Sequence, residues 1–214
     1  FRRAFGYLNK GVELKPDFDQ AHLERGTLFL AARALERARE EADLLLAKDA
    51  ANPDYRTLDA ALLLAEDKPE LARMALQALL ADGVTEPDIY YMLASLHAKQ
   101  GRNDEAEVVL RKGLEANPDA AALHLILARY YAGSRQFPEA ISQVERLIAL
   151  EPDKAAHKLT LAGLYRQSGQ SQAMEDTLAA LIQADPADEE TRLQVARFWL
   201  QARNANQCEA VLRD

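Results

Sequence analysis

The chain has 214 residues, 49% of them hydrophobic and 28% charged, with a formal net charge of -8. Aromatics are scarce while Ala and Leu are abundant, which favours helix over strand. The acidic balance disfavours broad binding to a phosphate backbone, and no apolar run approaches the roughly 18 residues a membrane-spanning helix needs, so neither nucleic acid nor direct membrane insertion is expected. Cys208 is the single cysteine. It excludes an internal disulfide and a cysteine-based zinc site, and leaves the compartment open.

Proline punctuates the chain at a regular interval. Pro-Asp or a close relative stands at Pro16-Asp17, Pro53-Asp54, Pro87-Asp88, Pro118-Asp119, Pro152-Asp153 and Pro186-Ala187-Asp188. The steps from 118 to 152 and from 152 to 186 are 34 residues each. Two stretches with helical apolar spacing lie between successive marks. In chain order, residues 1–18 read as an isolated second helix. Helix pairs then follow over 19–52, 53–86, 87–120, 121–154 and 155–188, and a truncated pair over 189–214. Both ends look cut inside a repeat, so the chain is expected to be part of a longer one, with Phe5, Leu8, Val211 and Leu212 leaving apolar ends open to end-to-end self-association.

A second pattern lies inside each unit. One reads Tyr90, Leu93, Ala94, His97, Ala106, Leu110, Pro118, and the next reads His124, Leu127, Ala128, Tyr131, Ala140, Val144, Pro152. The same slots then hold Lys158, Leu161, Ala162, Tyr165, Met174, Leu178, Pro186, and finally Arg192, Val195, Ala196, Trp199, Cys208, Leu212. Gly26, Phe29 and Ala38 fall on the same register upstream. Small residues such as Ala94 and Ala106 let paired helices approach closely, and large neighbours fill the seams. Gly101 and Gly169 suit the turn within a pair, and Pro118, Pro152 and Pro186 stop second helices.

Length, signature and punctuation together resemble the tetratricopeptide repeat family, bacterial type, over essentially the whole chain. The resemblance implies an all-α fold: a right-handed superhelical solenoid of antiparallel helix pairs. The first third departs from the pattern. Residues 30–48 hold neither Gly nor Pro, Arg25 replaces a Leu, and Pro53 comes about three residues late. This predicts a lengthened hairpin followed by a shortened one, with a single long helix over about 20–48 as the alternative.

Catalytic motifs are missing: there is no Gly-rich phosphate loop, no Gly-x-Ser-x-Gly elbow and no His-Glu-x-x-His. His22, His97, His124 and His157 fall in packing or capping slots of different repeats. The carboxylate pairs Glu40-Glu41, Asp104-Glu105 and Glu189-Glu190 suit the first turns of helices, where the dipole favours them. Cys208 reads as a packed thiol. No catalytic residue, cofactor or metal is expected.

The family resemblance further implies that the second, fifth, ninth, twelfth and thirteenth positions of each repeat line a concave groove that holds a partner segment. Those positions carry Gln20, Leu23, Thr27 and Leu30, then Asp54, Thr57, Ala61 and Leu64, then Asp88, Tyr91, Ser95, Ala98 and Lys99. Leu125, Arg129 and Ala132 follow, then Leu159, Gly163 and Arg166, then Glu190, Leu193, Arg197 and Leu200. An apolar floor with a basic stripe at Arg129, Arg166 and Arg197 suits a protein or peptide segment with apolar and acidic groups. The Lys and Asn set of a chaperone-binding carboxylate clamp is absent. The expected function is a non-enzymatic protein-binding scaffold. The Ala- and Leu-rich style is similar to envelope solenoids in polysaccharide export or protein-sorting lipoproteins, which would place it in a bacterial envelope assembly. The alternatives are a regulatory module of a larger enzyme, such as a glycosyltransferase or peptidase, and an RNA-reading helical repeat. The 34-residue register and the acidic charge oppose the last.

Overall fold

A computed structural model describes residues 2–213, with the side chains of residues 2 and 4 left aside. Residues 1 and 214 of the terminal half-repeats lie outside it. The described residues form thirteen α-helices and no strand. Two compact units are present, residues 1–117 and 118–214.

The first unit holds α1 (Arg2–Leu14), α2 (Asp19–Ala31), α3 (Leu35–Lys48), α4 (Pro53–Ala65), α5 (Pro69–Ala81), α6 (Pro87–Lys99) and α7 (Asn103–Ala116). The second holds α8 (Ala121–Gly133), α9 (Phe137–Leu150), α10 (Ala155–Gln167), α11 (Ser171–Ala184), α12 (Glu189–Gln201) and α13 (Ala205–Arg213). In each unit a helix packs on the next in sequence, and first helices of consecutive pairs also touch, α2 on α4 and α10 on α12. Each unit is a helical stack of antiparallel pairs.

The turn inside every pair has one backbone solution. Arg33, Asp67, Gly101, Arg135, Gly169 and Arg203 all take the left-handed conformation, with φ between 58° and 78°. Each is 34 residues from the last, as in 67 − 33 and 101 − 67. The residue after each donates its N–H to a carbonyl five positions back, as in Ala34 to Phe29 at 2.9 Å and Gln170 to Tyr165 at 2.8 Å. This 6→1 bond closes a Schellman cap and satisfies a helix-end carbonyl. Glycine is the cheap choice there, yet four repeats use a charged residue instead.

The break at Ala32–Ala34 therefore separates α2 from α3, so residues 20–48 are a helix pair. The lengthened and shortened hairpins do not occur: α2, α4 and α5 have 13 residues and α3 has 14. Pro53 is not a late stop. It opens α4, where a missing N–H costs nothing, behind Asn52, whose side chain accepts from the N–H groups of Asp54 and Tyr55.

The core runs along the seams. In the first unit Ala38, Ala42, Leu45, Tyr55, Leu58 and Leu62 pack together, and Ala60, Leu76, Leu79, Ile89 and Leu93 form a neighbouring cluster. In the second, Ala162, Met174, Leu178, Leu181, Val195 and Trp199 pack together, with Cys208 and Val211 laid partly against them. Gly26 marks the tightest approach. A Cβ there would lie 2.9 Å from Leu58 Cδ2 and 3.1 Å from Glu41 Cβ.

The irregular N-terminal sequence is explained by charge. Glu41 is not in a first turn, unlike Asp104-Glu105 and Glu189-Glu190. It is buried in mid-α3, where Arg25 Nε and Nη2 reach its Oε1 at 2.8 and 2.6 Å and His22 Nδ1 reaches its Oε2 at 2.6 Å. Arg25 thus replaces an apolar seam contact with an ion pair. Asp59, one repeat on, does the same with Arg39, which also holds Glu66 at 2.9 Å. Partial burial works against the Arg39 guanidinium, but hydrogen bonds to Glu66 and Asp59 outweigh it and raise its pKa above the ordinary value. Arg39 in turn, with Lys68, holds the Glu66 carboxyl below the usual carboxylate range.

The chain ends are better covered than expected. Phe5 meets Phe29 edge-on at 5.3 Å, Leu8 is half-buried, and Val211 joins the Trp199 cluster. The burial comes from α1 and α13 lying on their neighbouring helices. Leu212 is exposed, as are Tyr7 and Leu14.

Candidate functional site

First helices have two faces. Positions seven and eight turn into the seam; Leu127, Ala128, Val195 and Ala196 are buried there. The opposite face of the same helices borders a cavity in each unit. The fifth, sixth and ninth positions fall on this one face because residues three and four apart are helix-surface neighbours.

The cavity of the first unit is about 470 Å³ and spans α2, α4 and α6. Leu23, Leu30, Leu58, Ala61, Tyr91 and Met92 supply its apolar wall; Glu24, Asp54 and Asp88 supply carboxylates, and Thr27 and Thr57 hydroxyls. Tyr91 is 45% exposed, large for an apolar side chain without an assigned partner surface. The cavity on the first-helix face of the second unit is about 390 Å³, between α10 and α12. Leu159, Gly163 and Phe198 line it with Thr160, Gln194, Gln201, Arg166 and Arg197. The Arg166 guanidinium lies over the Phe198 ring, 5.1 Å from its centroid, a cation–π contact that fixes the charge beside the apolar wall.

The structure brings together Leu23, Thr27 and Tyr91 in one cavity and Leu159, Arg166 and Arg197 in the other. Ser95, Lys99, Leu125, Arg129 and Leu193 line neither. The sixth position was missed: Glu24, Leu58, Met92, Thr160 and Gln194 line a cavity, and of the sixth positions only Ile126 does not. Helical spacing could have found it, four residues after the second position and three before the ninth.

The histidines are built into the repeat frame. His22 Nε2 donates to the Pro16 carbonyl at 2.9 Å and its other nitrogen meets Glu41; His124 repeats the arrangement with the Pro118 carbonyl at 2.9 Å and Gln143 at 2.8 Å. His157 Nε2 meets Glu151 at 2.6 Å. His97 is buried with Nδ1 unpartnered, and that burial lowers its pKa, with Arg102 adding to the effect. Among the described residues no cluster of three or more His, Cys, Asp or Glu is arranged to hold a metal ion, and no helix is long and apolar enough to cross a membrane.

Two tetratricopeptide repeat family models match the sequence, one over residues 63–130 and one over 125–189. Between them they span more than half of the chain. It belongs to the tetratricopeptide repeat (TPR) family. Solved TPR structures agree in fold. A thermophilic TPR protein of Thermus thermophilus is 22% identical, with a TM-score of 0.60 over 85% of this chain and 99% of its own. PilW, described as a widely conserved type IV pilus biogenesis factor, is 20% identical, with a TM-score of 0.69 over 91% of this chain and 90% of its own. YrrB, described as a TPR protein with an unusual peptide-binding site, is 18% identical, with a TM-score of 0.56 over 89% of this chain and 97% of its own. No curated protein sequence matches. TPR proteins are generally non-enzymatic scaffolds for other proteins, and the TPR fold of this chain is a protein-interaction fold.

Proposed function

We propose that this TPR chain is a non-enzymatic scaffold that holds segments of partner proteins against the first-helix faces of its two units. The observation that carries the reading is the pair of apolar-walled cavities, both on the helix face that the seams leave uncovered. Buried apolar anchors dominate recognition of this kind, with a few charged groups setting register. In the second unit Arg166 and Arg197 suit a segment with apolar and acidic side chains, since a guanidinium binds a carboxylate bidentately. Arg129 lies outside that cavity, so the charge-bearing pair is Arg166 and Arg197. Membership of a multiprotein bacterial envelope assembly is favoured by the likeness to a pilus biogenesis factor. A regulatory module of a larger enzyme would use the same faces.

Photo-crosslinking tests the reading. A benzophenone amino acid at Thr27, Tyr91 or Gln194 should give discrete adducts with partner proteins in producing cells. The same group at Leu71 or Val108, exposed on second helices, should give few. Equal yields from both sets would refute the groove assignment.

A further inference from the structure

We propose that the first unit's groove takes an extended peptide in which an apolar side chain is flanked by lysine or arginine, the reverse of the charge preference in the second unit. The proposal rests on the groove reading above and adds the chemistry of the occupant.

The wall chemistry is one-sided. Glu24, Asp54 and Asp88 converge on the cavity, and no lysine or arginine lines it. All three carboxylates are exposed, and among the described residues none forms an ion pair; Glu24 accepts one hydrogen bond, from Gln20 Nε2 at 3.2 Å. The two hydroxyls add no donors. Thr27 Oγ1 donates to the Leu23 carbonyl at 3.0 Å and Thr57 Oγ1 to the Pro53 carbonyl at 2.8 Å, so their protons are committed to their own helices. Apart from the Tyr91 hydroxyl, the cavity's side-chain polar groups therefore offer acceptors.

Helix dipoles account for part of this. Asp54 and Asp88 sit in the first turns of α4 and α6, where negative charge is favoured. Glu24 does not; it lies mid-α2, and its convergence with the other two is a property of the groove. A bare cation would meet the carboxylates but leave Leu23, Leu30, Tyr91 and Met92 in water. A neutral apolar segment would cover those and leave three carboxylates facing a partner that offers nothing back. A segment with an apolar anchor between cationic side chains answers both surfaces, with long aliphatic stems lying along the wall.

The test uses labelled peptides carrying Leu-Phe between paired lysines, paired glutamines or paired glutamates, read by fluorescence anisotropy. The chain carries Arg166→Gln and Arg197→Gln to remove the charge of the other groove. The lysine peptide should bind about tenfold more tightly than the glutamate peptide at low salt, and the gap should narrow as salt rises. Adding Asp54→Asn and Asp88→Asn should collapse the ranking without altering the helical circular dichroism spectrum. A ranking that survives those substitutions, or no lysine-peptide binding up to ~1 mM, overturns the proposal. Ala61→Trp, which fills the cavity, separates it from the groove reading. Equal binding of all three peptides that Ala61→Trp abolishes overturns the charge preference and leaves the groove intact. Lysine-peptide binding that Ala61→Trp does not touch overturns both.

Discussion

The same substitution should have opposite effects at two glycines. Gly26 and Gly163 both sit inside first helices. At Gly163 a Cβ meets nothing within 4 Å, so Gly163→Ala should collect the ordinary helix-propensity gain of about 1 kcal/mol. At Gly26 the new methyl would stand 2.9 Å from Leu58 Cδ2 and 3.1 Å from Glu41 Cβ. Leu58 Cδ2 is a terminal methyl beside the first-unit cavity and can shift, so the cost falls on the Glu41 Cβ, which is set by the α3 backbone and whose side chain is pinned by Arg25 and His22. Overpacking a tight core costs about 1–3 kcal/mol. Set against the propensity gain, Gly26→Ala should lose about 1 kcal/mol, and the two variants should differ by about 2 kcal/mol.

Urea titration followed by circular dichroism reads the change. Stacked repeats need not unfold in one step, so amide exchange in α2 and α10 assigns it to the substituted pair. Gly26→Ala at or above wild-type stability would refute the packing argument, and destabilisation by Gly163→Ala would refute the reading of that helix face as open.

The remaining predictions concern charge and turns. Glu41→Ala leaves the half-buried Arg25 and the buried His22 without their acceptor and should cost about 3 kcal/mol in a thermal or urea melt, with Glu41→Gln costing less. At the left-handed turn, Gly101→Ala should destabilise by about 1 kcal/mol. Arg135→Gly, which relieves a side chain held at φ 58°, should gain roughly 0.5 kcal/mol after the entropy cost of glycine is subtracted. Both are checked by urea midpoints. His97, with its pKa lowered by burial, binds fewer protons folded than unfolded, so its contribution is present above its ordinary value of 6.5 and is lost as pH falls below it. His97→Phe should flatten the fall in urea midpoint between about pH 7.5 and pH 5.5; an unchanged slope would exclude His97 as its source. Glu66, lowered chiefly by Arg39, acts in a separate and more acidic window, where stability falls as the pH drops below the ordinary carboxylate value.

What the sequence made legible was whatever one residue decides locally. Ala94, Ala128, Ala162 and Ala196 announce a close helix approach, and all four are buried in the seams. Gly101 and Gly169 announce a left-handed turn. The same turn at Arg33, Asp67, Arg135 and Arg203 is silent, because there the Schellman cap and helix packing override a local preference. The N-terminal repeats were misjudged for a related reason. Arg25 reads as a failure of an apolar pattern, but it is half of an ion pair whose other half, Glu41, lies in a neighbouring helix, and Asp59, in the same slot one repeat on, pairs likewise with Arg39. A pattern scored one position at a time cannot register a compensation made by two. The groove shows the same limit. Its positions follow from helical spacing, but its sign does not. Counted along the chain, Arg129, Arg166 and Arg197 looked like one basic stripe. In the fold only Arg166 and Arg197 share a cavity, and the acidic residues at the second and sixth positions of the first repeats, Glu24, Asp54 and Asp88, gather in another. The charge lining each cavity is therefore set unit by unit, and the peptide ranking with and without Asp54 and Asp88 tests whether the proposed preference follows from it.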